Sequence, residues 1–230
     1  MQLGVISDIH GNRVALEAVL DDMPPVDGVV CAGDVVGYGP WPGDCVAALR
    51  ERGVPTVSGN HDRAVVAGSA PGFNGMARAG VEYARETLDE AAVEWLGGLP
   101  HRRVVGGNRV AVAHGHPAEP DRYTYPKEFT GGLVDTAADQ LAVDPGGLDA
   151  LILGHTHVQG HETFPEGVVL NPGSVGQPRD RDPRAAYAVL DVEDRSVTEH
   201  RVEYDVDAVA EAVDDAGLPS AIGERLFDGK

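Results

Sequence analysis

The tetrapeptide Gly59-Asn60-His61-Asp62 places an amide, an imidazole and a carboxylate side by side, directly after a β-rich run at residues 54–58. Asn, His and Asp are poor strand formers, and an ordinary tight turn needs only Asn-Gly or Asp-Gly. Folding alone therefore does not explain this combination. A loop that carries a metal-capable amide beside a titratable group is typical of a hydrolytic site, so we expect partner residues at other strand ends.

Short apolar runs alternate with amphipathic stretches in the first part of the chain. Strands are predicted at residues 3–7, 28–32 and 54–58, with helices at 14–22 and 42–52 between them. This order is typical of an α/β chain with right-handed crossovers. In such sheets the functional residues lie on loops beyond the carboxyl ends of the strands.

The remaining chain mixes helices and strands. A long helical region is predicted at 75–99, a hairpin at 103–113 that turns at residues 106–108, and a helix at 133–142. No repeat or linker interrupts the pattern, so we predict one domain over residues 1–230. Further short strands, followed by a helical end, are predicted at 148–153, 161–164, 168–171, 186–191 and 197–204.

The composition indicates a globular chain that binds neither membranes nor nucleic-acid polymers. Hydrophobic residues make up 42% of the 230 residues, no apolar run approaches the roughly 20 residues of a membrane span, and the start lacks the pattern of a signal peptide. A formal net charge of −19 argues against a nucleic-acid surface, which needs a basic patch. Cys31 and Cys45 are expected to be small buried residues without a disulfide, in a cytoplasmic protein.

Acidic residues are spread along the whole chain, whereas lysine is nearly absent. Only Lys127 and Lys230 occur, so the other 16 of the 18 basic residues are arginines. Ordinary solubility explains an acidic surface. Adaptation to high salt also explains the shortage of lysine, because screening removes the repulsion among 37 carboxylates. We favour the halophilic interpretation.

Five histidines stand just past predicted strands, together with two aspartates and an asparagine. Asp-x-His or His-x-His at a strand end directs both side chains to one side, because strand side chains alternate with a period of two. A set of imidazoles and carboxylates without thiolate suits Mn²⁺, Fe, Zn²⁺ or a similar ion, and the ligands suffice for two ions. The candidates are Asp8, His10, Asp34, Asn60, His61, His114, His155 and His157.

This ordered set resembles the calcineurin-like metallophosphoesterases, and most of all their small prokaryotic phosphodiesterase branch. Members carry D-x-H, G-D-x-x-G, G-N-H-D, a lone H and G-H-T-H in this order. The resemblance covers about residues 1–191, and five motifs in one order make a chance match a poor explanation. The motifs here are Asp8-Ile9-His10, Gly33-Asp34-Val35-Val36-Gly37, Gly59-Asn60-His61-Asp62, His114 and Gly154-His155-Thr156-His157.

The resemblance implies an α/β fold, a four-layer α/β/β/α sandwich of two mixed β-sheets flanked by helices. It also implies two divalent metal ions, with Mn²⁺ the expected ion and Fe, Zn²⁺, Ni²⁺ or Co²⁺ as alternatives. Asp34 would bridge the two ions. The implied ligands are Asp8, His10, Asp34 and His157 for the first ion, and Asp34, Asn60, His114 and His155 for the second.

The chemistry implied by the resemblance is hydrolysis of a small phosphate ester, such as a nucleotide. A hydroxide between the two ions would attack phosphorus in line. His61 is not needed as a ligand, so it is free to protonate the leaving alkoxide, and Asp62 would orient and charge its imidazole. Both are candidate catalytic residues.

Phosphodiester hydrolysis is the expected activity, and three alternatives stay open. These are a phosphomonoesterase, a nucleotide polyphosphate hydrolase and a non-catalytic protein-interaction scaffold of the same fold. Serine/threonine phosphatases of the family carry Asp-Arg-Gly where this chain has Gly37-Tyr38-Gly39, which weakens a protein-phosphatase interpretation. The presence of His61 disfavours the scaffold. Assembly into a homo-oligomer also stays open.

Substrate specificity is expected to reside in the walls of the pocket. The segments 117–128 and 172–184 are the predicted walls. Tyr38, Arg179 and Arg184 could contact the substrate, although arginines in so acidic a chain are expected to pair with surface carboxylates.

The charge pattern makes stability salt-dependent. We expect the thermal midpoint to rise along a KCl series from dilute to molar concentration, because salt screens the repulsion at a net charge of −19. Differential scanning calorimetry measures this directly. A midpoint that stays flat or falls with KCl would remove the halophilic interpretation.

Overall fold

A computed structural model describes residues 1–144 and 146–230. Short strands and helices alternate along these residues. In chain order they are β1 (Gln2–Ile6), α1 (Arg13–Asp22), β2 (Gly28–Cys31), α2 (Pro42–Glu51), α3 (Asn60–Ala67), α4 (Gly75–Thr87), α5 (Glu90–Gly97), β3 (Arg102–Val105), β4 (Val110–Ala113), α6 (Gly132–Leu141), β5 (Ala150–Ile152), β6 (Gly160–Thr163), β7 (Val168–Asn171), β8 (Ala185–Asp191), β9 (Ser196–Val202), α7 (Val206–Asp215) and α8 (Ala221–Glu224). Short 3₁₀ turns occur at Pro126–Glu128 and Arg225–Asp228.

The strands form two mixed sheets. The first has the order β2-β1-β8-β9, in which β1 runs parallel to β2 and antiparallel to β8. The second has the order β3-β4-β5-β7-β6, in which β4, β5 and β7 are parallel. Helices flank both sheets, so the predicted α/β sandwich is confirmed.

Successive side chains of a strand point to opposite faces of its sheet, so each sheet contributes to an apolar core on either side. In β1, Val5 enters the core between the two sheets, whereas Ile6 faces the core shared with α1. In β5, Ile152 enters the same inner core, whereas Leu151 packs with α6 on the outer side of the second sheet. Both faces of β1 and β5 are covered, so residues 3–6 and Ala150–Ile152 are apolar and buried.

Three expectations about local structure are corrected. The segment 54–58 is not a full strand, because only Thr56 pairs with Cys31 of β2, and Pro55 has no N–H to extend the ladder. The residues expected in a loop at 60–62 instead begin α3. The helical region 75–99 is divided in two, because the Asp89 side chain accepts a hydrogen bond from the Ala92 N–H and caps α5.

Two other properties of the described residues bear on earlier expectations. Cys31 and Cys45 are free and buried, as expected. None of the helices in residues 1–144 and 146–230 has both the length and the apolar character needed to cross a bilayer.

Helix α4 approaches a loop closely at Gly80, where a Cβ atom would meet the backbone of Tyr38. Gly80→Ala should therefore lower the free energy of unfolding by about 1–3 kcal/mol, although alanine is the better helix former. Gly75→Ala in the same helix is the matched control, because a Cβ there meets nothing within 4 Å. Chemical denaturation of both variants measures the difference. Equal stability of the two variants would show that the space between Gly80 and the Tyr38 backbone can accommodate a Cβ atom.

Candidate metal centre

The seven candidate ligands come together where strands of the two sheets end. Asp8 and His10 follow β1, Asp34 follows β2, and His114 follows β4. Main-chain and side-chain hydrogen bonds join these loops both within a sheet and between the two sheets. They run from the His114 ring to the Ala32 oxygen, from the Gly154 N–H to the His114 oxygen and from the His155 N–H to the Asp8 carboxylate. All seven ligands are buried except Asn60, which is half-buried at the start of α3.

The first group of ligand atoms contains Asp8, His10 and His157. The Nε2 atoms of His10 and His157 lie 3.1 Å apart, and Asp8 Oδ1 lies 3.2 Å from His157 Nε2. The same carboxylate oxygen lies 3.8 Å from His10 Nε2. These three side chains can therefore hold one ion.

The second group contains Asp34, His114 and His155, with Asn60 beside them. His114 Nε2 lies 3.3 Å from Asp34 Oδ2 and 3.3 Å from Asn60 Oδ1. Asp34 Oδ2 also lies 3.7 Å from His10 Nε2 of the first group. Asp34 is thus the carboxylate that both groups share.

The hydrogen bonds on the outer side of the rings fix which nitrogen faces the site. A carbonyl oxygen only accepts, so the ring nitrogen against it carries the hydrogen and, in the neutral ring, the other nitrogen presents its lone pair inward. The four pairs are His10 Nδ1 with the Val36 oxygen (3.2 Å), His114 Nδ1 with the Ala32 oxygen (2.7 Å), His157 Nδ1 with the Gln177 oxygen (2.5 Å) and His155 Nε2 with the Asp121 oxygen (3.1 Å).

The inward-facing atoms fit divalent cations. Two imidazole lone pairs 3.1 Å apart repel each other, and the buried Asp8 Oδ1 has no hydrogen-bond donor among the described residues. A cation between such atoms converts the repulsion into coordination. The donor set of nitrogen and oxygen atoms without sulfur fits divalent metal ions.

Burial and charge set the protonation that metal binding requires. Burial lowers the pKa of His155 to about 4 and also lowers the pKa of His10 and of His157. Burial lowers the pKa of His114 too, but the adjacent Asp34 carboxylate outweighs it and raises the value to about 9. Burial raises the pKa of Asp34, whereas His114 and the other imidazoles bring it well below its usual range. The site therefore supplies carboxylates together with neutral imidazoles at His10, His155 and His157, whereas His114 has to release a proton before it binds an ion.

Five of the ligands hold their backbone in the left-handed region. Non-glycine residues rarely adopt this conformation, which costs on the order of 1–3 kcal/mol each and clusters at functional sites. The tight conformation lets each strand end turn its side chain back toward the site. The φ angles are 52° for Asp8, 50° for His10, 53° for Asp34, 68° for His155 and 58° for His157.

Asp62 lies beneath the site and contacts the backbone. Its two carboxylate oxygens accept four main-chain N–H groups, and the hydrogen bond expected between Asp62 and the His61 imidazole is absent from the described contacts. Asp62 thus joins the loop after β2 to the start of α3. The four donors are the N–H groups of Asp34 (2.9 Å), Val35 (2.9 Å), Val36 (3.2 Å) and Gly59 (2.9 Å).

His61 lies between aromatic rings at the edge of the metal groups. Its ring centroid is 4.7 Å from that of Tyr38, 4.7 Å from that of Phe73 and 4.8 Å from that of His10. Nδ1 has no partner among the described residues and faces Gly37, where a Cβ atom would collide with the ring. One His61 nitrogen also lies within 4.8 Å of ligand atoms of His10 and Asp34.

Known proteins resemble this chain over most of its length. The model of the calcineurin-like phosphoesterase superfamily domain matches residues 1–195. The chain belongs to the calcineurin-like phosphoesterase superfamily. The family predicted from the five motifs is therefore confirmed, and membership indicates a metal-binding phosphoric ester hydrolase.

Three relatives illustrate the match. An uncharacterised protein of Methanocaldococcus jannaschii is 32% identical, with 99% of this chain and 98% of the relative covered. A metallophosphoesterase from Sphaerobacter thermophilus, known from its crystal structure, is 34% identical in sequence with a TM-score of 0.82. The match covers 100% of this chain and 99% of the Sphaerobacter chain. A hypothetical protein from Pyrococcus horikoshii shares the fold at 22% identity, with a TM-score of 0.84 and coverage of 100% and 98%.

A cleft of about 540 Å³ opens beside the phosphoesterase site, at Asn60, His61 and His155. The predicted wall 117–128 contributes Tyr123, whose ring stacks on His155 with centroids 4.0 Å apart. The opposite wall, residues 71–74 with Phe73, was not predicted. Its only signal in the sequence is the cap at Asn74 that begins α4.

The two arginines singled out in the phosphoesterase sequence have different surroundings. Arg184 pairs with the Asp182 carboxylate, as expected. Surface pairing is wrong for Arg179, because no carboxylate oxygen within residues 1–144 and 146–230 lies within 4.0 Å of its guanidinium. Its Nη2 atom instead donates to the Tyr38 hydroxyl at 3.3 Å and to Gln177 Oε1 at 2.7 Å.

The shared position of Asp34 predicts unequal effects of ligand substitutions in this phosphoesterase. We expect Asp34→Asn to reduce bound Mn²⁺ more than Asp8→Asn, since Asp34 Oδ2 approaches ligand atoms of both groups. His161→Gln is the control, because His161 pairs with Glu199 away from the site. Elemental analysis after gel filtration in Mn²⁺ gives ions per chain. Two tightly held ions in Asp34→Asn would exclude the bridging role.

Proposed function

We propose that this phosphoesterase hydrolyses phosphodiesters with two divalent ions, Mn²⁺ first among them, and that His61 donates a proton to the leaving group. The observation that carries the proposal is the convergence of two ligand groups on Asp34, with the His61 ring beside them and open to the cleft. The substrate is a small ester that the cleft can accommodate.

The ligand residues determine where the reacting phosphoryl group lies. Two divalent ions held there would polarise a phosphoryl oxygen and lower the pKa of water for in-line attack. The residues that would hold them are Asp8, His10, Asp34 and His157 on one side, and Asp34, Asn60, His114 and His155 on the other.

His61 is the chain's own group for the proton transfer. Its Nδ1 atom is buried against Gly37, and no hydrogen bond among the described residues engages Nε2, so Nε2 is the nitrogen that is available to the ester. Burial lowers the pKa of His61 to about 4, although the Asp34 charge partly offsets this. An anionic phosphate beside the ring favours the protonated imidazole, so protonation of His61 is coupled to substrate binding.

The surroundings of His61 favour a diester over a phosphoprotein. Gly37 and Tyr38 occupy the positions at which phosphoprotein phosphatases of the family carry Asp-Arg, and the Tyr38 ring packs against His61. The cleft of about 540 Å³ lies in the range of small-molecule sites. Tyr123 and Phe73 give its walls apolar surfaces for an ester substituent.

The experiment compares three substrates on Mn²⁺-loaded and EDTA-treated protein. Bis(4-nitrophenyl) phosphate represents diesters, 4-nitrophenyl phosphate represents monoesters, and a dinucleoside polyphosphate represents anhydrides. We expect the highest kcat/KM for the diester, with loss of turnover after EDTA and recovery with Mn²⁺. Higher kcat/KM for either other substrate would establish that alternative activity instead. Absence of metal-dependent turnover on all three would favour the scaffold.

Leaving-group dependence tests His61. We expect His61→Ala to retain its ions and to lose little kcat on a nitrophenyl diester, because nitrophenolate departs without a proton. An alkyl or nucleoside diester should lose about 10²–10⁴-fold in kcat, as is typical of a positioned acid. Steady-state kinetics at saturating Mn²⁺ measure both values, with His161→Ala as the control. Equal losses on the two esters would mean that His61 holds the substrate or a metal ion instead.

Asp62→Asn supplies a contrast with His61→Ala. An amide NH₂ would face main-chain N–H groups that the carboxylate now accepts, so the loop that carries Asp34 would shift. We expect lower Mn²⁺ content and similar losses of kcat on both esters. A leaving-group-dependent loss would restore the direct role of Asp62 toward His61.

A further inference from the structure

Arg179 places a fixed positive charge beside the candidate metal centre. Its main-chain N–H donates to the oxygen of His157 at 3.1 Å. Its guanidinium carbon lies 5.7 Å from the centre of the Tyr38 ring, and that ring contacts both His10 and His61. The Tyr38 ring therefore lies between the Arg179 guanidinium and the imidazole rings of His10 and His61.

The Arg179 guanidinium has N–H donors that form no hydrogen bond with the described residues. Of its five N–H groups, those on Nη2 serve the Tyr38 hydroxyl and Gln177 Oε1. Nε is buried without an acceptor, and the guanidinium's hydrogen bonds to described residues come from Nη2 rather than from Nη1. Although the chain has 37 acidic residues, no carboxylate within residues 1–144 and 146–230 neutralises the group. The neighbouring arginines that do have carboxylate partners are Arg63 with Asp121, Arg184 with Asp182 and Arg201 with Asp180.

Buried groups hold Arg179 in place. Gln177 is 1% exposed, and its main-chain oxygen accepts the Nδ1 hydrogen of His157 while its side chain accepts from Arg179. Tyr38 is 4% exposed and has a φ of 58°. A side chain positioned by two buried partners loses little conformational entropy when a ligand binds.

A second arginine approaches from the C-terminal segment. Arg225 lies near the Tyr38 hydroxyl, and its Nε also donates to the main-chain oxygen of Lys230. Burial, and then the positive charge of Arg179, lower the pKa of Arg225. Two guanidinium groups around one tyrosine repel each other, and an anion that binds between them relieves this repulsion.

We propose that Arg179, held by Gln177 and Tyr38, binds a phosphate oxyanion of the substrate. The proposal rests on the proposed function, because the anion belongs to the ester that the metal centre cleaves. Guanidinium groups match phosphate oxygens with two parallel N–H donors. In a chain with a net charge of −19, such a group also offsets the repulsion that an anionic substrate meets on entry.

Two phosphates could supply this oxyanion. It could be a non-bridging oxygen of the phosphoryl group that reacts, or a second phosphate adjoining it, as in a pyrophosphate diester. A diester with one phosphate and a pyrophosphate diester distinguish these sources. Inorganic phosphate is the probe for binding without chemistry.

The experiment uses Arg179→Gln and Arg179→Lys, with Arg184→Gln as the matched control, because Arg184 lies nearby on the same segment and pairs with Asp182. We expect Arg179→Gln to raise the Kd of phosphate for Mn²⁺-loaded protein, measured by titration calorimetry, by about 10–100-fold. KM should rise by a similar factor. Arg179→Lys should recover part of the loss, and Arg184→Gln should match the wild type.

A rise in KM for both diesters would assign the oxyanion to the reacting phosphoryl group. A rise for the pyrophosphate diester alone would assign it to the second phosphate. Unchanged phosphate Kd and KM in Arg179→Gln would overturn the proposal, as would a fall in thermal midpoint and Mn²⁺ content that Arg179→Lys does not repair. If the wild type cleaves neither diester, the proposed function fails, and the phosphate Kd alone decides the role of Arg179.

Discussion

Repulsion among buried electron-pair donors is the constraint on which this site depends. His10 and His157 present ring nitrogens to each other at 3.1 Å, and the Asp8 carboxylate oxygen beside them has no donor among the described residues. Each ring is held in this orientation by a carbonyl oxygen on its outer side. Cations between these donors would convert the repulsion into coordination, so metal binding would stabilise the local fold.

The fold holds the ligands against this repulsion by fixing their backbone. Five ligands adopt the left-handed conformation, at a cost on the order of 1–3 kcal/mol each. Asp62 contributes to the compensation, since its carboxylate accepts four main-chain N–H groups from the loop after β2 and the start of α3. The layers of apolar side chains on both faces of each sheet anchor the strand ends from which these loops extend.

The sequence predicts the family, the layered fold and the residues that meet at the site, because each ligand motif directly follows an apolar run. It does not predict how side chains pair across loops. Asp62 follows His61 in sequence, yet α3 begins at Asn60 and directs the carboxylate to the main chain of residues 34–36. Arg179 and Arg184 lie five positions apart in the sequence, which does not tell them apart. The structure shows that Arg179 contacts Tyr38, whereas Arg184 pairs with Asp182.

Anomalous diffraction from crystals soaked in Mn²⁺ would locate the ions at this site. We expect two anomalous peaks about 3.5–4 Å apart. One should lie among Asp8, His10 and His157 and the other among Asn60, His114 and His155, with a carboxylate oxygen of Asp34 between them. A single peak, or two peaks that do not share Asp34, would exclude a two-ion centre bridged by Asp34.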